Sequence, residues 1–305
     1  MRERTLRDER TVGGPWLGRL WPYLQLMRPP NLLTAVADVL AGFGVAATAN
    51  GDALPHLVVS TICLYGGGVI FNDIFDRKLD ARERPERPLP SGRATLRRAT
   101  LLGASLLACG AGAAFIASTA SGLLALLIAL CALVYDSWGK NQSLLGPINM
   151  GVCRGLNLML GVSAVPELVV GRWYLGLIPI TYIAAVTAIS KGEVEGGNRS
   201  TGLLAMGLLT AVILALPALT LTPGLRFFAM VPFLTLFSWR VLPPFRRAYV
   251  KPSPGNIRSA VKAGVLSLIV LDAAIAAGYA GLLYGAAVCS LMLVARPAAR
   301  LFAVT

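Results

Sequence analysis

The stretch STICLYGGGVIFNDIFDRKLD, residues 60 to 80, passes from an apolar run without charge straight into three aspartates, and arginines crowd the segment that follows, ARERPERPLPSGR (81 to 93). Asn72, Asp73, Asp76 and Asp80 fall at helical spacing. If the apolar helix continues past Phe71, residues 73, 76 and 80 share one face with Asn72 beside them. Three carboxylates on one stripe repel each other. They make sense around a divalent cation, and a hard, oxygen-only set without a nearby His or Cys favours Mg²⁺. Mg²⁺ takes few protein carboxylates and fills its shell with water and phosphate oxygens, so a phosphate-bearing ligand is implied. The bland alternative is a solvated helix end whose aspartates pair with Arg77 and Lys78.

The rest of the chain supplies the solvent for this helix. With 55% hydrophobic and 14% charged residues, the 305-residue chain departs from soluble composition, where roughly 25% charged is usual. A bilayer is the fitting solvent. Crossing ~30 Å of hydrocarbon takes ~20 apolar residues. Such runs lie near 31–50, 54–72, 97–118, 120–136, 145–165, 173–190, 201–221, 226–242 and 263–295. The last is long for one helix, and Gly278 and Gly281 are candidate break points, so nine spans are expected with ten as the alternative. The fold class is all-α: a multi-pass transmembrane bundle of about nine helices around a cytoplasm-facing chamber. Residues 1–30 read as a cytoplasmic lead-in rather than a cleavable signal, 31–295 as one membrane domain and 296–305 as a tail. Frequent Gly and Ala in the runs permit close helix packing. The five cysteines sit singly in apolar runs, without metal or disulfide spacing.

Lys and Arg crowd the N-terminal segment and the loop after the second span, and they are sparse in the loops after the odd-numbered spans. By the positive-inside bias the N-terminus and the even-numbered exits are cytoplasmic, in a cell (inner or plasma) membrane. That bias and attraction to anionic lipid account for most of the +13 net charge. Nucleic acid is not needed.

Two more polar clusters leave spans on the same side: YDSWGKN (135–141), with Tyr135 and Lys140, and SKGEVEGGNRST (190–201), with Lys191, Glu193, Glu195 and Arg199. Arg154 lies inside the fifth apolar run. Its cost in lipid requires an interior cavity and an anionic partner.

These residues carry a family resemblance. NDIFDRKLD resembles the first acidic signature of the UbiA superfamily of intramembrane prenyltransferases, and RPERPLPSGR resembles the segment that follows it there. YDSWGK resembles that family's tyrosine-to-lysine motif, MRPPN (27–31) its N-terminal entry, and KGEVEGG stands in place of its second acidic motif; the EVEGGNR form is most similar to the UbiA-like branch called EboC. The resemblance implies a nine-helix bundle in which two acidic motifs face each other across Mg²⁺ and a prenyl diphosphate. The metal ligands would be Asp73, Asp76, Asp80, Glu193 and Glu195. The usual pair of aspartates in the second motif is here Glu193 and Gly197, with Glu195 as an additional acid. Asn72, Arg84, Arg87, Lys140, Arg154, Lys191 and Arg199 would grip the diphosphate. Asp73, Asp76, Tyr135 and Lys140 would carry catalysis, with Tyr135 facing the carbocation. The implied activity is Mg²⁺-dependent prenyl transfer to a small aromatic or hydroxylated acceptor within the membrane. The rival is a lipid-binding or transport protein of the same architecture, to which Arg154 and the midspan acids Asp38 and Asp272 would lend a polar path.

Overall fold

The computed structural model describes residues 15–47, 51–142, 145–190, 192, 196–219 and 225–302. Among these, the regular elements are all helical: α1 (Pro15–Met27), α2 (Pro29–Ala46), α3 (Ala53–Glu83), α4 (Leu96–Ala117), α5 (Thr119–Ser137), α6 (Leu145–Val162), α7 (Leu168–Arg172), α8 (Leu177–Ser190), α9 (Arg199–Ala218), α10 (Phe227–Val250), α11 (Pro254–Ala280) and α12 (Leu282–Leu301). Short 3-10 turns stand at Gly139–Asn141 and at Trp173–Gly176, the second joining α7 to α8.

Nine helical stretches among the described residues are long and apolar enough to cross a membrane, with Leu168–Ser190 counted as one. The all-α multi-pass bundle is therefore what the composition led us to expect. The last apolar run is two helices, parted at Gly281. That residue holds φ 96° and ψ 169°, a region essentially reserved for glycine. The final helix continues to Leu301, past the expected span end at 295. α6, with 18 residues, matches the shortest of the nine in length but carries Arg154, Asn149 and Asn157. Arg154 and Asn157 face inward, as described below.

α2 and α11 are buried along most of their length, whereas α4, α5, α9, α10 and α12 leave most of theirs uncovered. Leu101, Ile116, Leu123, Leu130, Leu214, Leu283 and Leu293 are among the exposed side chains. On a soluble protein such apolar surface marks a docking site; on a bundle in hydrocarbon it is the ordinary lipid face. α11 packs on α2, α8, α10 and α12, and α3 lies against α4, α5 and α2. Within the interior, the Tyr182 hydroxyl donates to Gly264 O at 2.8 Å and its ring meets Phe237 edge-on at 5.2 Å.

One crossing depends on side chains being absent. Where α2 meets α6, a Cβ on Gly42 would collide with Leu158 O and one on Gly161 with Val39 O. The two backbones touch there, as small residues allow in membrane bundles. α3 is the longest element, 31 residues, or ~46 Å at 1.5 Å per residue. That exceeds the ~30 Å of hydrocarbon by about three turns, so the helix carries its acidic end clear of the apolar layer.

Candidate active site

Because α3 runs unbroken through Glu83, Asp73, Asp76 and Asp80 stand on successive turns of one rigid helix. Cations from three separate segments meet them. Arg28 Nη2 donates to Asp73 Oδ1 at 2.7 Å, Arg87 Nη1 to Asp80 Oδ2 at 2.8 Å with Asp73 Oδ1 at 3.5 Å, and Lys140 Nζ to Asp76 Oδ1 at 2.5 Å. Arg77 and Lys78 remain exposed on the helix and are absent from these pairs, unlike in the bland sequence alternative. The three carboxylates thus divide: Asp73 and Asp80 share Arg87, while Asp76 turns to Lys140.

Local structure puts each cation there. Arg28 separates α1 from α2 and holds φ 48° and ψ 67°, a left-handed conformation uncommon outside glycine. Pro29 and Pro30 start α2 directly after it. This junction turns the guanidinium back toward α3, 45 residues away in sequence. Lys140 lies in the 3-10 turn after α5, and Arg87 in the loop after α3.

A cavity of about 480 Å³ opens beside this face. Its mouth is lined by Arg28, Asn72, Asp76, Asp80, Arg84, Arg87, Tyr135, Asp136 and Lys140. Asp73 is buried behind the wall and acts on the mouth through Arg28 and Arg87. Asn72 Nδ2 donates to Asp136 Oδ1 at 2.8 Å, which fixes α3 against α5.

Further in, the wall becomes apolar with Leu64, Ile128, Val265 and Leu268, and then polar again where Arg154, Asn157, Thr61 and Tyr65 line it. Arg154 has the anionic partner its position demanded: Nη1 donates to Asp38 Oδ2 at 2.7 Å, Nη2 donates to Thr34 Oγ1, and the guanidinium lies over the Tyr65 ring at 5.1 Å. Asn157 Nδ2 donates to Asp38 Oδ2 at 3.0 Å and to Ala35 O at 2.8 Å, while its own Oδ1 accepts from Thr61 at 2.7 Å. Asp272, fully buried on α11, stands near Asp38.

Some expected residues are elsewhere. Arg199 begins α9 with its guanidinium over the Tyr249 ring at 5.5 Å, and it is not among the residues lining the cavity. An aromatic face on α10 holds it. Lys191, Glu193 and Glu195 lie outside the described residues. The likeness to the EboC branch rests on that same segment. Sequence reasoning passed over Arg28 and Asp136, although both stand inside quoted motifs, MRPPN and YDSWGK. An arginine just before a Pro-Pro helix start and an acid at an apolar helix end were the available signals.

Among the described residues no three His, Cys, Asp or Glu side chains converge on one point. The donors at the mouth nevertheless suit Mg²⁺, which is satisfied by one or two protein carboxylates with water and phosphate oxygens completing its shell. Asp76 and Asp80 reach the cavity with oxygen donors, each beside a cation that a diphosphate could take over.

Comparison with known proteins agrees with this architecture. The sequence model of the UbiA prenyltransferase family matches residues 35–253. The digeranylgeranylglyceryl phosphate synthase of Methanosarcina mazei is 29% identical over 245 residues, covering 68% of this chain and 83% of the relative. The synthase of the same name from Ignicoccus hospitalis is 30% identical, covering 68% and 69%. A UbiA homologue from Aeropyrum pernix K1 superposes with a TM-score of 0.69 at 18% identity, over 80% of this chain and 96% of that one. One from Archaeoglobus fulgidus, bound to DMAPP and Mg²⁺, gives 0.61 at 19% identity, over 88% and 99%. The chain belongs to the UbiA prenyltransferase family.

Proposed function

We propose that the chain transfers a prenyl group from a prenyl diphosphate to a hydroxyl of a small glyceryl phosphate lipid, with Mg²⁺, in a chamber whose mouth opens to the cytoplasm. The observation that carries this reading is the meeting of Arg28, Arg87 and Lys140 with one carboxylate ladder at the mouth of an otherwise apolar cavity. The names of the archaeal relatives support the acceptor class. The Lys and Arg bias of the loops supports the orientation.

Asp76 and Asp80, backed by Asp73, would hold the Mg²⁺, which when bound neutralises charge on the diphosphate. Lys140, Arg87, Arg84 and Arg28 would bind its oxygens, exchanging carboxylate partners for phosphate. As the allylic C–O bond breaks, the electron pair leaves with the diphosphate. Tyr135 presents an aromatic face to the cationic prenyl carbon at the mouth. Leu64, Ile128, Val265 and Leu268 exclude water from it. The acceptor oxygen then bonds to that carbon, and its proton passes to the departing diphosphate. Arg154 is placed deeper and is bound to Asp38, so it shapes the inner wall rather than the diphosphate grip.

Purified protein incubated with labelled prenyl diphosphates of several lengths, Mg²⁺ and glyceryl phosphate acceptors should release diphosphate. Asp76→Asn should abolish Mg²⁺-dependent binding of the prenyl diphosphate, while Cys131→Ala should leave it intact. An unchanged titration for Asp76→Asn sinks the metal assignment. Tight binding with no release across all donors and acceptors would mean a lipid-binding protein of this fold.

A further inference from the structure

From residue 196 to 302 the chain holds ten Lys and Arg but a single acid, Asp272, and that acid is buried beside Asp38. Arg240 on α10 and Arg296 on α12 are among the cations that stand within the membrane-crossing length of their helices. The two helices start at one level. Arg226 N donates to Gly278 O at 2.6 Å, and the Arg226 guanidinium lies against Gly281. Arg240 follows Arg226 by fourteen residues and Arg296 follows Gly281 by fifteen, so both lie ~21 to 22 Å along their helices. α10 and α12 touch, and both helices pack on α11.

The two arginines therefore stand at one depth on helices that touch. Arg240 Nε donates to Ser267 Oγ at 3.3 Å, which holds it half-buried against α11, while Arg296 is exposed. Neither has an ion-pair partner among the described residues, and α10 and α12 contain no Asp or Glu at all. A single arginine at this depth could snorkel to the interface. Two arginines at one depth on touching helices in a low-dielectric surround repel, and intramembrane cations ordinarily pair with an anion. Hydrocarbon ~30 Å thick puts the pair about one arginine length from the border on the side of the cavity mouth. The anions available at that border are lipid phosphates.

We propose that Arg240 and Arg296 form a binding site for the phosphate of an anionic phospholipid in the leaflet on the cavity-mouth side, clamping α10 to α12. The site is separate from the cavity, whose lining includes neither residue. The exposed apolar faces of Leu293 and Trp239 next to it offer surface for the acyl chains.

Native mass spectrometry of the detergent-purified protein, loaded with equal phosphatidylglycerol and phosphatidylcholine, tests this. Wild type should retain phosphatidylglycerol over phosphatidylcholine. Arg240→Gln with Arg296→Gln should lower that retention about 30-fold, and Arg226→Gln, which removes a charge from the opposite end of α10, should not change it. Should the double variant fail to fold, Arg296→Gln alone, at an exposed position, should still lower retention. Equal retention of the two lipids by wild type, or undiminished phosphatidylglycerol on Arg296→Gln, overturns the proposal. Displacement of the retained lipid by inorganic phosphate alone would assign a free-anion site and overturn the lipid reading.

Discussion

Replacing Arg154 with Met removes the one cation from a buried polar knot while keeping most of the side-chain length. The knot joins four helices: Asp38 and Thr34 on α2, Tyr65 on α3, Asn157 on α6 and Asp272 on α11. Two side-chain hydrogen bonds disappear, each worth ~0.6 kcal/mol between membrane helices. A desolvated cation–π contact adds ~1 to 2 kcal/mol. The larger cost lies in what remains, because Asp38 keeps a buried carboxylate beside Asp272 with no cation. The lost contacts alone come to ~2 to 3 kcal/mol, and breaking a buried pair by removing one partner costs about 3–5 kcal/mol, so Arg154→Met should lose ~4 kcal/mol. Arg154→Met with Asp38→Leu removes the orphaned charge. It should recover about half of the loss, although Asn157 then lacks one acceptor. Unfolding titrations in mixed detergent and dodecyl sulfate micelles measure both variants and Asp38→Leu alone. A loss under ~1 kcal/mol for Arg154→Met, or strictly additive single losses, would refute a coupled buried pair.

Gly161→Ala drives a methyl into Val39 O at the α2–α6 crossing and should cost ~1 to 3 kcal/mol in the same titration; a shift below ~0.5 kcal/mol would mean the crossing yields freely. Gly281→Ala forces a side chain into φ 96° and ψ 169°, a strain of ~1 to 3 kcal/mol, and an unchanged midpoint would count against a fixed α11–α12 joint. For topology, a cysteine-free background carrying Gly51→Cys should react with an impermeant maleimide in intact cells, and one carrying Glu83→Cys only after permeabilisation. Reaction at position 83 in intact cells would invert the orientation and the placing of the cavity mouth with it.

The apolar runs made the helices legible, since a stretch of about 20 residues without charge has few other uses. The carboxylate ladder was legible for a similar reason: spacings of three and four residues survive in any continuous helix, and α3 is continuous. The end of the last run was harder. Gly278 and Gly281 both offered a break, but Gly278 stays in the helix and only Gly281 takes positive φ. Pairings across helices were beyond local spacing altogether. Arg28 reaches Asp73 through a left-handed junction that nothing in MRPPN specifies. Arg199 lies over a tyrosine near the end of the next helix, α10.

Arg154 falls between these cases. Its position in an apolar run required an acid nearby, and the chain offers two midspan acids, Asp38 and Asp272. The requirement alone cannot choose between them, and the fold uses both: Asp38 takes the direct bond, and Asp272 stands behind it on α11. The consequence lies in α2, which carries Asp38 ten residues after the Arg28 junction, a rise of ~15 Å. One straight helix therefore links the carboxylate ladder at the mouth to the polar knot of the inner wall. Sliding α2 by half a turn would move Arg28 off Asp73 and Asp38 off Arg154 together. The backbone contact of Gly42 with α6 opposes that slide. Helix rise sets the spacing of the two polar ends, and glycine packing against α6 holds both in register with their partners.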